Sequence, residues 1–378
     1  MKHFLNFLFI SLLLISCKQK NNEKTIESLV KAKNDIKYAK GFEIQHFKNH
    51  KKLIIKTPYP NSKETFEYIL QSKSSTEKID FEKPIIRVPI EKIVVTSTTH
   101  IPMLELLNVE NSLIGFPHTN YISSPKTRKL IAAKAIKEIG SKNSLNTEIL
   151  LELQPDAVVG FSMSKTNKPL NLIEKAGIPV ILNGAWLEET PLGRAEWIKF
   201  FGALYGKEKE ADSIFNSIVT NYNAVKELAK KSHTKPTVLS GAIMSKDIWN
   251  LPAGESFVAK FLIDANTDYL WKDSKGKGSL SISFESVLDK GQDAKYWIAP
   301  GYFSSKEQMF NSNKHYKKFT AFQKDQLYTF SNTVGETGGV LYFELGPVRP
   351  DLVLKDIIKI THPELLKDYT LTFFDKMN

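Results

Sequence analysis

The sequence predicts an α/β protein of two similar lobes with mainly parallel sheets, joined by a single long α-helix. Three observations carry this expectation. From Lys207 to Lys231 the apolar residues Ala211, Ile214, Phe215, Ile218, Tyr222, Val225 and Leu228 recur three or four apart, which makes one stripe along a helix. No Gly or Pro interrupts the run, so it can extend for about 35 Å at roughly 1.5 Å per residue. On both sides of it, short apolar runs alternate with helical stretches, the pattern of parallel sheets covered on both faces. Finally, SLNTEILLELQPDA from Ser144 aligns without a gap to SISFESVLDKGQDA from Ser281. Ser144 pairs with Ser281, Glu148 with Glu285, Leu151 with Leu288, Asp156 with Asp293 and Ala157 with Ala294.

The first seventeen residues, MKHFLNFLFISLLLISC, hold Lys2, an apolar core from Phe4 to Ile15, and then Cys17. That core is too short to span a bilayer comfortably, so residues 1–16 read as a secretory signal peptide. Leu14-Ile15-Ser16-Cys17 looks like a lipobox, which would make Cys17 the lipid attachment point and residues 17–36 a polar tether. Cys17 is the only Cys in the sequence, and a disulfide within the chain is therefore impossible.

The N-terminal lobe is expected over 37–206. Its opening stretch, 37–88, is an extension with short strands: Leu53–Ile55 and Thr65–Leu70 alternate around the breakers Pro58, Pro60 and Asn61, as in an edge hairpin. The lobe's sheet is built from Ile93–Val95, Leu113–Phe116, Ala157–Gly160 and Ile178–Leu182. Ligands meet parallel sheets at the loops after the strands, and here those loops hold Thr98, Thr99, His100, His118, Tyr121, Phe161, Ser162, Asn183 and Trp186. The linking helix occupies 207–231. The C-terminal lobe, 232–378, repeats the plan with strands at 236–242, 296–298 and 327–330. Between them come a helix from Ser256, a basic loop from Lys272 to Gly278 and the Glu285 helix, and a last helix begins at Pro350.

The 378 residues suffice for two domains, and the net charge of +11 is mostly Lys spread along the chain. No basic stripe with a reading motif is present, so nucleic acid is not an expected partner. The chain lacks G-x-S-x-G, P-loop, G-x-G-x-x-G and H-E-x-x-H motifs. No catalytic residues stand out, no cofactor is expected, and an enzyme is not the favoured reading.

The ordered set of these features resembles the substrate-binding proteins of bacterial ABC importers, of the class that carries iron chelates and cobalamin. It is carried by the lipobox at Cys17, the strand-loop-helix from Glu91 to Leu107 and the paired Glu148 and Glu285 segments. PLGRAEWIKFFGALYG from Pro191, the linking helix and VRPDLVLKDIIKITHPEL from Val348 complete it. The match runs from about Pro89 to the C-terminus. It implies a helical-backbone periplasmic-binding-protein fold, with two Rossmann-like lobes, a ligand cleft between them and small lobe movements. The implied cargo is an iron chelate, a ferric siderophore or haem. Cobalamin is the alternative, and bare zinc or manganese is a weaker one. The implied partners are an ABC permease dimer with its ATPase subunits, and a bacterial membrane reached through the lipid. The protein would be a monomer on the periplasmic side, or on the outer face of the cell membrane. Glu148 and Glu285 fall where the family docks one carboxylate per lobe onto permease Arg residues, and charge pairing of this kind sets register. The plainer reading of each is a helix N-terminal charge complementing the dipole.

Twelve residues are candidates for ligand contact: Thr98, His100, His118, Tyr121, Phe161, Trp186, Arg194, Trp249, Trp271, Tyr302, Tyr342 and Arg349. The aromatic ones offer flat faces with polar edges, or else belong to the core. Arg194 and Arg349 suit anionic oxygens, or else form internal ion pairs. His100 and His118 are the only candidates for a metal site, and a structural role competes with it. Lys275 and Lys277 favour an anionic ferric chelate over cobalamin.

Overall fold

The computed structural model describes residues 36–82, 84–141 and 144–378. Cys17, the signal peptide and the tether lie outside the described residues. Among those described, no helix is long and apolar enough to cross a membrane.

Each lobe is built around one five-stranded sheet. In the first, five parallel strands run in the spatial order Val180–Leu182, Ala157–Gly160, Ile93–Val95, Leu113–Phe116, Lys137–Glu138. Ile93, Val94, Val95, Ala157, Val158 and Val159 are all fully buried, as strands covered on both faces require. The chain lays down Ile93–Val95, builds outward on one side, then returns to build on the other. Its direction therefore reverses between Ile93–Val95 and Ala157–Gly160, and this switch point opens a crevice beyond the strand ends.

The second sheet has the order Asp268–Tyr269, Thr237–Ser240, Tyr296–Ile298, Leu327–Thr329, Asp375–Lys376. The first four strands are parallel and the last is antiparallel. Its switch point lies between Thr237–Ser240 and Tyr296–Ile298, so both lobes are doubly wound. A feature unforeseen in the sequence is a separate antiparallel sheet of Ala242–Ser245, Ile248–Pro252 and Ser279–Ser283.

Between the lobes in sequence runs one helix, Glu208–Ala229. Ala211, Phe215, Ile218 and Tyr222 of the expected stripe are buried, while Ile214 and Val225 pack partly buried against the same core. The helix lies on Ile198–Tyr205 of the first lobe and Pro350–Thr361 of the second. Tyr222 Oη donates to Asp264 Oδ2 at 2.7 Å and Lys226 pairs with the same carboxylate, which fastens the helix to the second lobe.

The lobes also touch away from this helix. Glu344 accepts the backbone N–H groups of Ser123 and Ser124 at 2.6 and 2.9 Å, and Thr337 Oγ1 donates to Asn120 O. Gly339 packs so tightly here that a Cβ on it would lie 2.3 Å from Tyr121 O. The picture of halves held apart by one rod is therefore incomplete, because a second polar seam joins them.

The extension is not an edge hairpin of the lobe's sheet. Phe42–His46, Lys51–Ile55 and Phe66–Ser72 form an antiparallel meander, and Ile86–Val88 adds in parallel, giving a four-stranded sheet of its own. Two buried carboxylates staple it down. Glu196 accepts the N–H groups of Lys37, Tyr38 and Ala39; Glu188 accepts those of Lys40 and Gly41 together with Trp197 Nε1–H. Buried charges of this kind persist only when their lone pairs are filled, and here backbone donors fill them together with the Trp197 indole on Glu188 and the Lys199 ammonium on Glu196.

Candidate ligand cleft

Each switch point carries a cavity. In the first lobe, Ser97, Thr99 and His100 follow the strand Ile93–Val95, Phe161 and Met163 follow Ala157–Gly160, and Asn183 and Trp186 follow Val180–Leu182. Together they line a cavity of about 260 Å³. In the second lobe, a cavity of about 380 Å³ is lined by Gly241 and Ala242 after one central strand and by Ala299 and Gly301 after the other. Phe257, Phe330, Tyr342 and Arg194 complete it. Arg194 belongs to the first lobe, and its Nη2 donates to Trp186 O at 2.8 Å. The two cavities therefore adjoin through the contact between Trp186 and Arg194.

The first-lobe cavity is polar without being charged. His100 is 2 % exposed and packs on Phe201, and burial pushes its pKa down to about 3 while the nearby Asn183 side chain pulls the other way. It is a neutral imidazole at physiological pH. Asn183 is 1 % exposed, and its Oδ1 accepts Ala185 N–H at 2.9 Å, which fixes which end of the amide faces which way. Although His100 and Asn183 are neighbours, neither His100 Nδ1 nor Asn183 Nδ2 has a hydrogen-bond partner of ordinary geometry, and Trp186 Nε1 has none either. Unsatisfied buried polar atoms are costly, and three residues of this cavity's lining carry one each.

The second-lobe cavity is largely apolar and aromatic, with Arg194 and the Glu189-paired Lys277 in its lining. The Arg194 guanidinium lies 3.8 Å from the centroid of Phe257, and its Nε donates to Glu188 O. Burial lowers its pKa to about 10, opposed by Tyr342 and Glu188, so it stays charged at neutral pH. Burial pushes Tyr342 up to about 12, with Arg194 pulling it down. Tyr342 stacks on Phe330, and Tyr302, 66 % exposed, lies against Phe330 and Phe343 at the rim.

Of the twelve candidates, His100, Phe161, Trp186, Arg194 and Tyr342 line these two cavities. Thr98 shares the turn of His100, though its neighbours Ser97 and Thr99 do the lining. His118 and Tyr121 lie together beside an adjoining hollow that shares Phe161 and Met163. Three candidates fall elsewhere. Trp249 is fully buried, stacks on Trp297 and donates Nε1–H to Ser240 O, because the unforeseen antiparallel sheet folds it back onto the core. Trp271 is buried beside Tyr269 and under Lys290. Arg349 forms a two-pronged ion pair with Asp351, at 2.9 and 2.8 Å, in a surface hollow bordered by the linking helix. The sequence reading missed Phe257, Phe330 and Met244 as lining residues, since only the approach of distant elements brings them to the cavity. Among the described residues, no cluster of three or more His, Cys, Asp or Glu side chains is placed to hold a metal ion.

Glu148 and Glu285 occupy equivalent places. Each is exposed in the first turn of a helix, Thr147–Leu153 or Phe284–Gly291, two residues after a capping side chain, Asn146 or Ser283.

The fold and its paired cavities define a two-lobed α/β solute-binding protein. The chain belongs to the periplasmic binding protein family, whose model matches residues 93–333. An uncharacterized lipoprotein of Methanocaldococcus jannaschii is 26 % identical over 91 % of this chain and 85 % of its own length. Among solved structures, a periplasmic haem-binding protein of Pseudomonas aeruginosa is similar, with a TM-score of 0.57 and 17 % identity over 76 % of this chain and 98 % of that one. A periplasmic haem-binding protein of Vibrio cholerae gives 0.53 and 16 % identity over 70 % and 99 %. At these identities the likeness is one of fold.

Proposed function

We propose that this chain is the substrate-binding lipoprotein of an ABC importer. It captures an iron chelate, a ferric siderophore or similar molecule, in the interlobe cleft and delivers it to a membrane permease driven by ATPase subunits. The observation that carries this reading is the pair of switch-point cavities, one per lobe, adjoining at the Trp186–Arg194 contact. Concave, largely apolar sites with a few placed polar groups suit a small molecule, and the similar structures named for haem binding support an iron chelate as cargo. Cobalamin is the second reading, supported by the uncharged polar lining around His100 and Asn183. Bare zinc or manganese has less support, because His100 and His118 line different hollows without a carboxylate cluster.

In this reading the chain is a monomer exported through residues 1–16 and tethered by lipid on Cys17. Residues 37–206 and 232–378 act as the two lobes about the helix of 207–231. Glu148 and Glu285, at matching helix starts, meet the permease with one acid from each lobe. The double variant Glu148→Ala/Glu285→Ala tests this. Ligand affinity is expected to stay within twofold of the parent while uptake in cells is lost. Unchanged uptake would remove the docking role.

A further inference from the structure

The loop that carries Trp186 is held in part from outside the family's common body. The four-stranded extension precedes the matched residues 93–333, yet it fastens the segment 182–188 at three places. Val180–Leu182 is an edge strand of the first-lobe sheet. Asn183 N–H turns inward to Gly160 O, so the N–H of Leu182 faces outward, where Tyr68 Oη accepts it at 3.0 Å. Both residues of this contact are buried. Two residues on, Gly184 lies against the carbonyl of Thr57, and a Cβ there would sit 2.1 Å from that oxygen. Its φ is −100°, so the close approach and not the backbone angle excludes a side chain. At the far end Glu188, 6 % exposed, accepts the N–H groups of Lys40 and Gly41 at 3.0 and 2.8 Å.

Between these fastenings lie the residues that join the two cavities. Ala185–Leu187 is a single 3-10 turn; Leu187 N–H bonds to Gly184 O and Glu188 N–H to Ala185 O. Bonds that close within the turn fix its shape but not its place on the lobe. Trp186 on this turn lines the first-lobe cavity. The carbonyls of Trp186 and Glu188 accept Arg194 Nη2–H and Nε–H, which holds the guanidinium on Phe257 in the second-lobe cavity. The extension is a firm platform for all of this, because Phe42, Leu53 and Tyr68 belong to the core and Phe42 packs on Trp197 at 4.5 Å. A loop that shifts on this platform displaces lining residues of both cavities. A loop fixed beforehand loses less freedom when a ligand binds.

We propose that the extension is the positioning element of the cleft: Tyr68, the Thr57 carbonyl and the Gly41 N–H group fix the loop 182–188 and through it set the places of Trp186 and Arg194. Tyr68 is a positioning residue that acts through Leu182 and touches no ligand. The proposal deepens the importer reading above and rests on it for the cleft's ligand, while the fastening of the loop stands on the hydrogen bonds themselves.

Tyr68→Phe tests the proposal, because it removes one oxygen and keeps the ring. Tyr205→Phe controls for lost stability alone, since it removes a buried hydroxyl of the same lobe that bonds to Ser112 at 2.6 Å and not to the loop. Gly184→Ala is a second variant, which forces the loop off the Thr57 carbonyl from the other side. Two readouts need no ligand. Backbone amides of 182–188 should exchange about five- to tenfold faster in Tyr68→Phe, the size of one hydrogen bond, and at the parent's rate in Tyr205→Phe. Acrylamide quenching of Trp fluorescence should rise in Tyr68→Phe and Gly184→Ala but not in Tyr205→Phe, since Trp186 is the one Trp of five that is not buried. The third readout is equilibrium dialysis with haem, a ferric trihydroxamate and cyanocobalamin. A probe that the parent binds should bind Tyr68→Phe and Gly184→Ala about three- to tenfold more weakly, and Tyr205→Phe equally well. Exchange and quenching that match the parent in Tyr68→Phe, or that change as much in Tyr205→Phe, would overturn the proposal and leave the importer reading standing. Faster exchange with unchanged affinity for a bound probe would do the same. Binding of none of the probes would count against the importer's cargo, and the exchange and quenching results would still decide whether the extension positions the loop.

Discussion

Glu344 offers the sharpest test of how the lobes are held together. Its carboxylate is 1 % exposed and sits on the seam, accepting the N–H groups of Ser123 and Ser124 from the other lobe. Burial raises its pKa from the ordinary 4.5 to about 7; the two backbone donors pull it down and the nearby Glu105 pushes it further up. The folded protein thus keeps this proton to higher pH than the unfolded chain. The stabilisation it contributes is complete below about pH 4.5 and is lost as pH rises through about 7. From these two values, the loss between about pH 5.5 and about pH 8 is about 2 kcal/mol, at about 1.4 kcal/mol per unit. Glu344→Gln has a similar shape and no charge at either pH, so this component of the slope should vanish. Urea unfolding of both proteins at the two pH values, followed by Trp fluorescence, measures the difference directly. Parallel pH dependence of parent and variant would refute the reasoning, as would a parent that gains stability relative to the variant towards pH 8.

Other substitutions probe separate parts of the account. Asp356 is fully buried and accepts Tyr369 Oη–H and the N–H groups of Thr372, Phe373 and Phe374, so it ties down the C-terminal segment. Asp356→Ala strands these donors and should cost roughly 3 kcal/mol or more in denaturant unfolding. It should also speed hydrogen exchange along Asp375–Lys376, which pairs with Leu327–Thr329. Gly339→Ala drives a Cβ against Tyr121 O and should cost about 1–3 kcal/mol in thermal unfolding unless the seam parts. Trp249→Ala should cost about 3–5 kcal/mol through the cavity it leaves in the aromatic core. Trp186→Phe should change stability little while altering ligand binding, a contrast that separates core from cleft.

Much of the architecture was legible because it rests on local patterns. The linking helix follows from an unbroken apolar stripe, and the central strands follow from short buried runs such as Ile93–Val95 and Ala157–Gly160. The loops after those strands were identifiable as candidate ligand loops, and cavities do lie at them, since parallel sheets leave their strand ends open to a ligand. What escaped was set by long-range packing. Trp249 and Trp186 look alike in sequence, yet one is carried onto the core by an antiparallel sheet whose strands Ile248–Pro252 and Ser279–Ser283 lie far apart in the chain. The partners of Lys277 and Arg349 escaped for a similar reason. Glu189 reaches Lys277 only when the lobes meet, and a basic run reads as an anion site until its acids are located. Arg349 and Asp351 are close in sequence, but Pro350 between them gave no sign that the two side chains would close on each other. The extension was half legible: Lys51–Ile55 and Phe66–Ser72 show themselves, whereas the three-residue strand Ile86–Val88 is too short to leave a pattern.

The central claim is that two cavities on opposite lobes grip a single ligand, and calorimetric titration of the parent, Trp186→Phe and Phe330→Ala with the tightest-binding chelate tests it most directly. The account predicts one ligand per chain and a loss of affinity in both variants, one from each lobe. Two ligands per chain, or a loss confined to the variant of one lobe, would contradict it.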